Sequence, residues 1–72
     1  MDAPLKLIAF DQSTTATGWC VMEMGTGNII ESGVILPKKN DDTIDRITYT
    51  IKRCLSLVRT HEVAFVFIEG VQ

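Results

Sequence analysis

No apolar run in this sequence approaches the roughly 20 residues that a membrane-spanning helix requires, so a bilayer-spanning role is set aside. Cysteine is scarce: Cys20 and Cys54 both lie in apolar-patterned segments, and Met1-Asp2-Ala3-Pro4 has no basic-then-apolar leader. Free, buried, structural thiols in a cytoplasmic protein are therefore expected. Positive charge is not in excess, the formal net charge being −2, which argues weakly against a polyanionic partner. Internal repeats and low-complexity segments are also missing. What is present is the composition of a globular chain, 46% hydrophobic and 22% charged. Its 72 residues make one domain at most, with a small core, since chains of this size bury only about 60% of their unfolded surface.

Hydrophobic patterning divides the chain into five elements. Lys6 to Phe10 is a nearly unbroken apolar run ending at Asp11 and reads as a strand covered on both faces. Gln12-Ser13-Thr14-Thr15-Ala16-Thr17-Gly18 is small and hydroxyl-rich, which is turn chemistry. Trp19 to Met24 is a second strand, Gly25-Thr26-Gly27-Asn28 offers the positive-φ positions of a hairpin, and Ile29 to Leu36 returns. Pro37 lacks a ladder donor and stops the third strand. Asp41 or Asp42 can cap a helix with Asp45 in its first turn. Ile44, Ile47, Ile51, Cys54, Leu55 and Val58 then form one apolar stripe over about five turns. Arg46, Lys52, Arg53 and Arg59 lie mainly off that stripe and read as a solvated face. Val63 to Ile68 is a second buried-strand run ending at Glu69.

A strand–helix–strand path lays the last strand parallel to a neighbour, and the open neighbour is the first strand. The expected fold is α/β and RNase H-like. It comprises a three-stranded antiparallel meander, one helix, and a fourth strand parallel to strand 1. Residues 1–72 then form the N-terminal part of one such domain, ending after strand 4.

Asp11 and Glu69 each end an apolar strand, where a carboxylate is costly unless it is solvated, paired or bound to a cation. In open α/β sheets, active sites gather at those carboxyl ends. On adjacent parallel strands the two acids face each other across one groove, a hard-oxygen pair suited to Mg²⁺ or Mn²⁺. Asp11 also has a plainer use, as a turn-initiating side chain that accepts backbone amides, and Glu69 as a solvated residue. Thr14 and Thr15 read as turn formers first and phosphate contacts second. Trp19 reads as packing, His61 as a structural residue near a helix end, and Lys38 and Lys39 as a solvating loop.

The segment from Leu7 to Trp19 resembles the first-strand motif of RuvC-type Holliday junction resolvases, an apolar strand ending in an acid and then a hydroxyl-rich turn into Thr17-Gly18-Trp19. Val66 to Gln72 resembles the fourth-strand motif of the same family. That resemblance implies a Mg²⁺-dependent, structure-selective endonuclease acting on branched DNA, with Asp11 and Glu69 as catalytic metal ligands. It also implies that this chain alone lacks the family's later acids and does not cut DNA. Asp11-Gln12-Ser13-Thr14-Thr15 is similar, too, to the first phosphate-binding loop of sugar kinases related to actin and Hsp70, with Ser13 where that motif has glycine. This second resemblance implies the phosphate-binding N-terminal part of an ATP-dependent enzyme. A non-catalytic assembly module is the third class. In all three, the exposed edge of strand 4 is expected to drive self-association or homodimer formation.

Overall fold

A computed structural model of the chain describes residues 4–12, 16–38 and 42–69. Five elements follow in order: β1 (Lys6–Gln12), β2 (Thr17–Glu23), β3 (Ile29–Ile35), α1 (Thr43–His61) and β4 (Phe65–Glu69). The strands form one sheet in the order β3-β2-β1-β4. β1 pairs antiparallel with β2, β2 antiparallel with β3, and β1 parallel with β4. This is the expected α/β partial domain: an antiparallel meander, one helix, and a fourth strand parallel to the first.

Local chemistry explains the turns. In the β2–β3 hairpin, the Gly27 N–H donates to the Glu23 carbonyl at 2.8 Å and the Glu23 N–H donates to the Asn28 carbonyl at 2.9 Å. Gly27 takes φ +76, a value that glycine adopts without a Cβ penalty. The β2–β3 ladder steps from Val21 opposite Glu31 to Met22 opposite Ile29, so Ile30 is the extra residue of a bulge. Of the two cap candidates, Asp42 is the N-cap: its carboxylate accepts the Asp45 N–H at 2.8 Å. Asp41 lies outside the described residues. At the other end Glu62 closes the helix in the left-handed region, φ 51 and ψ 49, its N–H directed at the carbonyls of Arg59 and Val58.

The core is small, and it differs from the stripe expected on the helix. Ile8, Phe10, Val21, Ile35 and Leu57 are buried, with Trp19, Cys54, Val58 and Val63 packed against them. Leu57, absent from the sequence-derived stripe, is the buried residue of α1, while Ile44, Ile47, Ile51 and Leu55 remain exposed. Cys54 and Val58 of the expected stripe do pack against the core beside Leu57, so the helix rests on the sheet through its C-terminal half while Ile44, Ile47 and Ile51 stay exposed. At that end His61 Nε2 lies 3.1 Å from Glu31 Oε1 on β3, and the His61 ring lies 6.1 Å from that of Trp19. Both cysteines are free and half-buried, and burial pushes the Cys54 thiol up from its ordinary pKa. Among the described residues no helix is long and apolar enough to cross a membrane.

Strand boundaries differ from the sequence reading by one or two residues: β2 runs from Thr17 to Glu23 where the sequence reading has Trp19 to Met24, β3 ends at Ile35 and not Leu36, and β4 begins at Phe65 and not Val63. Both β1 and β4 run on through their acids, so Asp11 and Glu69 lie inside the ladder instead of beyond it. Parallel pairing between them supplies hydrogen-bond partners that keep both acids extended.

Gly33 is where the meander is least tolerant. A Cβ there would meet Trp19 Cζ2 at 2.9 Å and Nε1 at 3.0 Å, whereas one on Gly25 would meet nothing within 4 Å. We expect Gly33→Ala to lower stability by about 1–3 kcal/mol through overpacking and to disturb Trp19 fluorescence. Gly25→Ala should leave both nearly unchanged, and Glu62→Gly should add about 0.5–1 kcal/mol by relieving the left-handed cap. Thermal melts with fluorescence detection rank the three.

Candidate functional site

Strand alternation sends neighbouring residues of β1 to opposite faces. Ile8 and Phe10 turn to the helix side and are buried, which leaves Leu7, Ala9 and Asp11 on the open side. The ladders extend the open face sideways: Ala9 pairs with Cys20 and with Phe67, and Asp11 pairs with Gly18 and with Glu69. These six residues line one groove of about 280 Å³ on the open face, at the carboxyl end of the two parallel strands. Most of its wall is apolar, and its polar end is the carboxylate pair.

Asp11 and Glu69 are register partners in the parallel ladder, on strands about 4.8 Å apart. Both are exposed, so water meets the desolvation cost that a buried carboxylate would face. Among the described residues neither has a cationic side chain at ion-pair distance. Two like charges held side by side without a counter-charge are open to a cation. A cluster of three or more His, Cys, Asp or Glu suited to a metal does not occur among the described residues. The pair thus offers two carboxylates and leaves further ligands to water or substrate.

Gly18 forms part of the groove beside Asp11. A Cβ there would lie 3.9 Å from the Asp11 carbonyl oxygen, an ordinary contact, so glycine keeps this wall bare without relieving a clash. Ser13, Thr14 and Thr15 lie outside the described residues; of the residues before and after them, Gln12 pairs with Thr17 next to the Asp11–Gly18 pair.

The other sequence candidates have packing, capping or loop placements. Trp19 packs against the core and His61 and also borders the groove. His61 pairs with Glu31, a partner that sequence spacing does not reveal because 30 residues separate them. Asp42 and Asp45 belong to the helix start and Lys38 is an exposed loop residue, while Lys39 lies outside the described residues. Cys20 lines the groove, a placement the sequence reading missed. Its signal was there: Cys20 is two residues from Gly18 on the same strand face.

No protein-family model matches the chain, and no curated protein matches it. Among solved structures, the chain is similar to the Aquifex aeolicus member of the Ppx/GppA family, with a TM-score of 0.66 and 15% identity. The match covers 92% of this chain and 26% of that one. At that identity the likeness establishes the fold. It also corrects the reading of the chain as part of a Mg²⁺-dependent Holliday junction endonuclease: the structure matched is a Ppx/GppA protein, not a junction resolvase. The physical reason is that an apolar strand ending in an acid, twice, on adjacent parallel strands, is a product of the sheet topology. It does not by itself distinguish nuclease chemistry from other chemistry at the same strand ends.

Like charges in register should disfavour the metal-free sheet slightly. We expect Glu69→Gln, without divalent cations, to raise stability by no more than about 1 kcal/mol. Millimolar Mn²⁺ should stabilise the original chain and leave this variant unmoved. A stabilisation by Mn²⁺ that survives in Glu69→Gln would place the cation elsewhere.

Proposed function

We propose that this chain is the N-terminal, phosphate-holding part of a phosphate-processing enzyme of the actin-like superfold. The observation that carries the reading is the carboxyl end of β1: Asp11 is in register with Glu69 there, beside the groove, and the ladder closes with Gln12 opposite Thr17. The sequence that joins Gln12 to Ala16 is Ser13-Thr14-Thr15, rich in the hydroxyl donors that phosphate oxygens accept. The fold likeness to a Ppx/GppA family member supports the same reading. Since the chain spans 26% of that neighbour, the activity is proposed for a whole enzyme to which this segment contributes.

In that enzyme Asp11 and Glu69 would hold a divalent cation, Mg²⁺ or Mn²⁺, and the cation would screen the phosphate charge and polarise its oxygens. The chain's own contribution is positional. The β1–β4 ladder fixes the spacing of the two carboxylates, and the open groove would admit the phosphate compound beside them. Ser13 stands where the kinase-like motif has glycine and brings a hydroxyl donor to the sequence. The bare edge of β4, paired only with β1, is a surface through which the chain would self-associate.

The reading is tested by ligand-induced stabilisation. Mg²⁺ with ATP or tripolyphosphate should raise the melting temperature of the chain by a few degrees, and a branched DNA should not. Asp11→Asn and the double variant Thr14→Ala/Thr15→Ala should each abolish the shift. No stabilisation by any phosphate compound, or a shift that persists in Asp11→Asn, would sink it.

A further inference from the structure

Among the described residues the sheet has two outer strands, β3 and β4, and they are built differently. β3 carries the devices that keep an open edge from pairing with another chain. A bulge at Ile30 breaks its ladder, Glu31 sets a charge near its middle and holds it against His61, and Pro37 follows its end without a ladder donor. β4 has none of these. Val63-Ala64-Phe65-Val66-Phe67-Ile68 is free of charge, proline and glycine, and Glu69 alone is charged within Phe65–Glu69. An apolar segment of this kind on an open edge is a template for a further strand.

The two faces of β4 decide which strand fits. Phe65 and Phe67 on the groove side are 52% and 60% exposed, and Val66 and Ile68 on the helix side are 49% and 57% exposed. A strand that pairs here and covers all four must be apolar on both of its own faces. Of the two strands that this chain leaves with a free edge, β3 fails, because Glu31 and Ser32 lie next to each other within it. β4 meets the condition, so the matching strand is the β4 of a second copy.

Charge decides the direction. Parallel pairing in register would set the two Glu69 side chains on neighbouring strands about 4.8 Å apart, and like charges directly opposite are destabilising. Antiparallel pairing about Phe67 overlaps the whole of both strands, with Phe67 opposite Phe67, Val66 opposite Ile68 and Phe65 opposite Glu69. The two Glu69 residues are then offset by about 13 Å along the strands, farther than the roughly 8 Å over which physiological salt screens exposed charges.

We propose that the chain forms a two-fold dimer through antiparallel β4–β4 pairing centred on Phe67. The contact is isologous and uses up both open edges, so assembly closes at two copies. Opposed residues of an antiparallel pair share a face, so the partner's Phe65 stands beside Glu69 on the groove side. The groove, which Phe67 and Glu69 of its own copy line, thereby gains an outer apolar wall from the second copy. This inference rests on the self-association named above and not on the phosphate reading, which ligand-induced stabilisation tests separately.

The test is light scattering on the whole chain over a dilution series, with every variant checked for folding by circular dichroism. The original chain should have the mass of a dimer and dissociate on dilution. Phe67→Lys puts two like charges at the centre of the pairing and should weaken the dimer at least about tenfold. Phe65→Lys places each lysine opposite the partner's Glu69 and should keep the dimer, less tightly as salt is raised; in parallel pairing each lysine would meet another lysine. Val34→Lys, on β3, should leave the dimer as it is. A monomer at every concentration, growth beyond two copies, dissociation by Phe65→Lys as complete as by Phe67→Lys, or dissociation by Val34→Lys would each overturn the proposal.

Discussion

The parallel ladder between β1 and β4 is the contact on which the rest of the arrangement depends. Five register pairs, from Leu7 with Phe65 to Asp11 with Glu69, join residues more than 50 positions apart. Nothing else among the described elements brings the two acids together. The meander closes through a local hairpin, and α1 forms from its own periodicity and caps. The β1–β4 ladder instead closes a long loop, which costs entropy before any contact forms. That loop consists largely of the β-hairpin and a 19-residue helix, so most of its length is already ordered when β4 docks. Ala64 begins the ladder by donating its N–H to the Lys6 carbonyl at 2.8 Å.

Much of this was legible in the sequence because the signals are local. Apolar runs of strand length, a glycine-rich hairpin turn and an aspartate before a 3.6-residue periodicity each act within a few residues. The order of elements then leaves one open neighbour for β4. The face on which α1 rests was not legible. A helix is expected to bury its whole apolar stripe, but here only Cys54 and Val58 of that stripe pack against the core, beside Leu57, while Ile44, Ile47, Ile51 and Leu55 stay exposed. How far along its length a helix meets the sheet depends on other elements, and no periodicity within the helix encodes it. The strand ends were read two residues short at β1 because Asp11 and Gln12 look like turn residues in isolation. Pairing on both sides at Asp11 keeps it extended.

The carboxylate pair was legible as a position and ambiguous as a chemistry. Any sheet with this topology places the ends of β1 and β4 side by side, and acids there remain solvated and without counter-charges. A pair of exposed acids attracts a cation whether the substrate is a phosphodiester in DNA or a small phosphate compound. The feature that bears on the choice is the groove. It is mostly apolar, with Asp11 and Glu69 at its polar end, and it measures about 280 Å³. A duplex would need a long cationic surface to match its phosphates, whereas the helix that carries Arg46, Lys52, Arg53 and Arg59 is on the opposite face of the sheet from Asp11 and Glu69.

The two faces of β4 are mechanically joined. Within Phe65–Glu69, Val66 and Ile68 belong to the helix side, and Phe65, Phe67 and Glu69 to the groove side. All five are exposed, and the strand is held by pairing along one edge alone. A strand with so little burial is free to fray, and its fraying would move Glu69 away from Asp11. Any contact that buried Val66 and Ile68 would hold the strand in register, and with it the spacing of the carboxylates, without touching them. Alternation in a single five-residue strand is therefore enough to make the order of one face depend on the burial of the other.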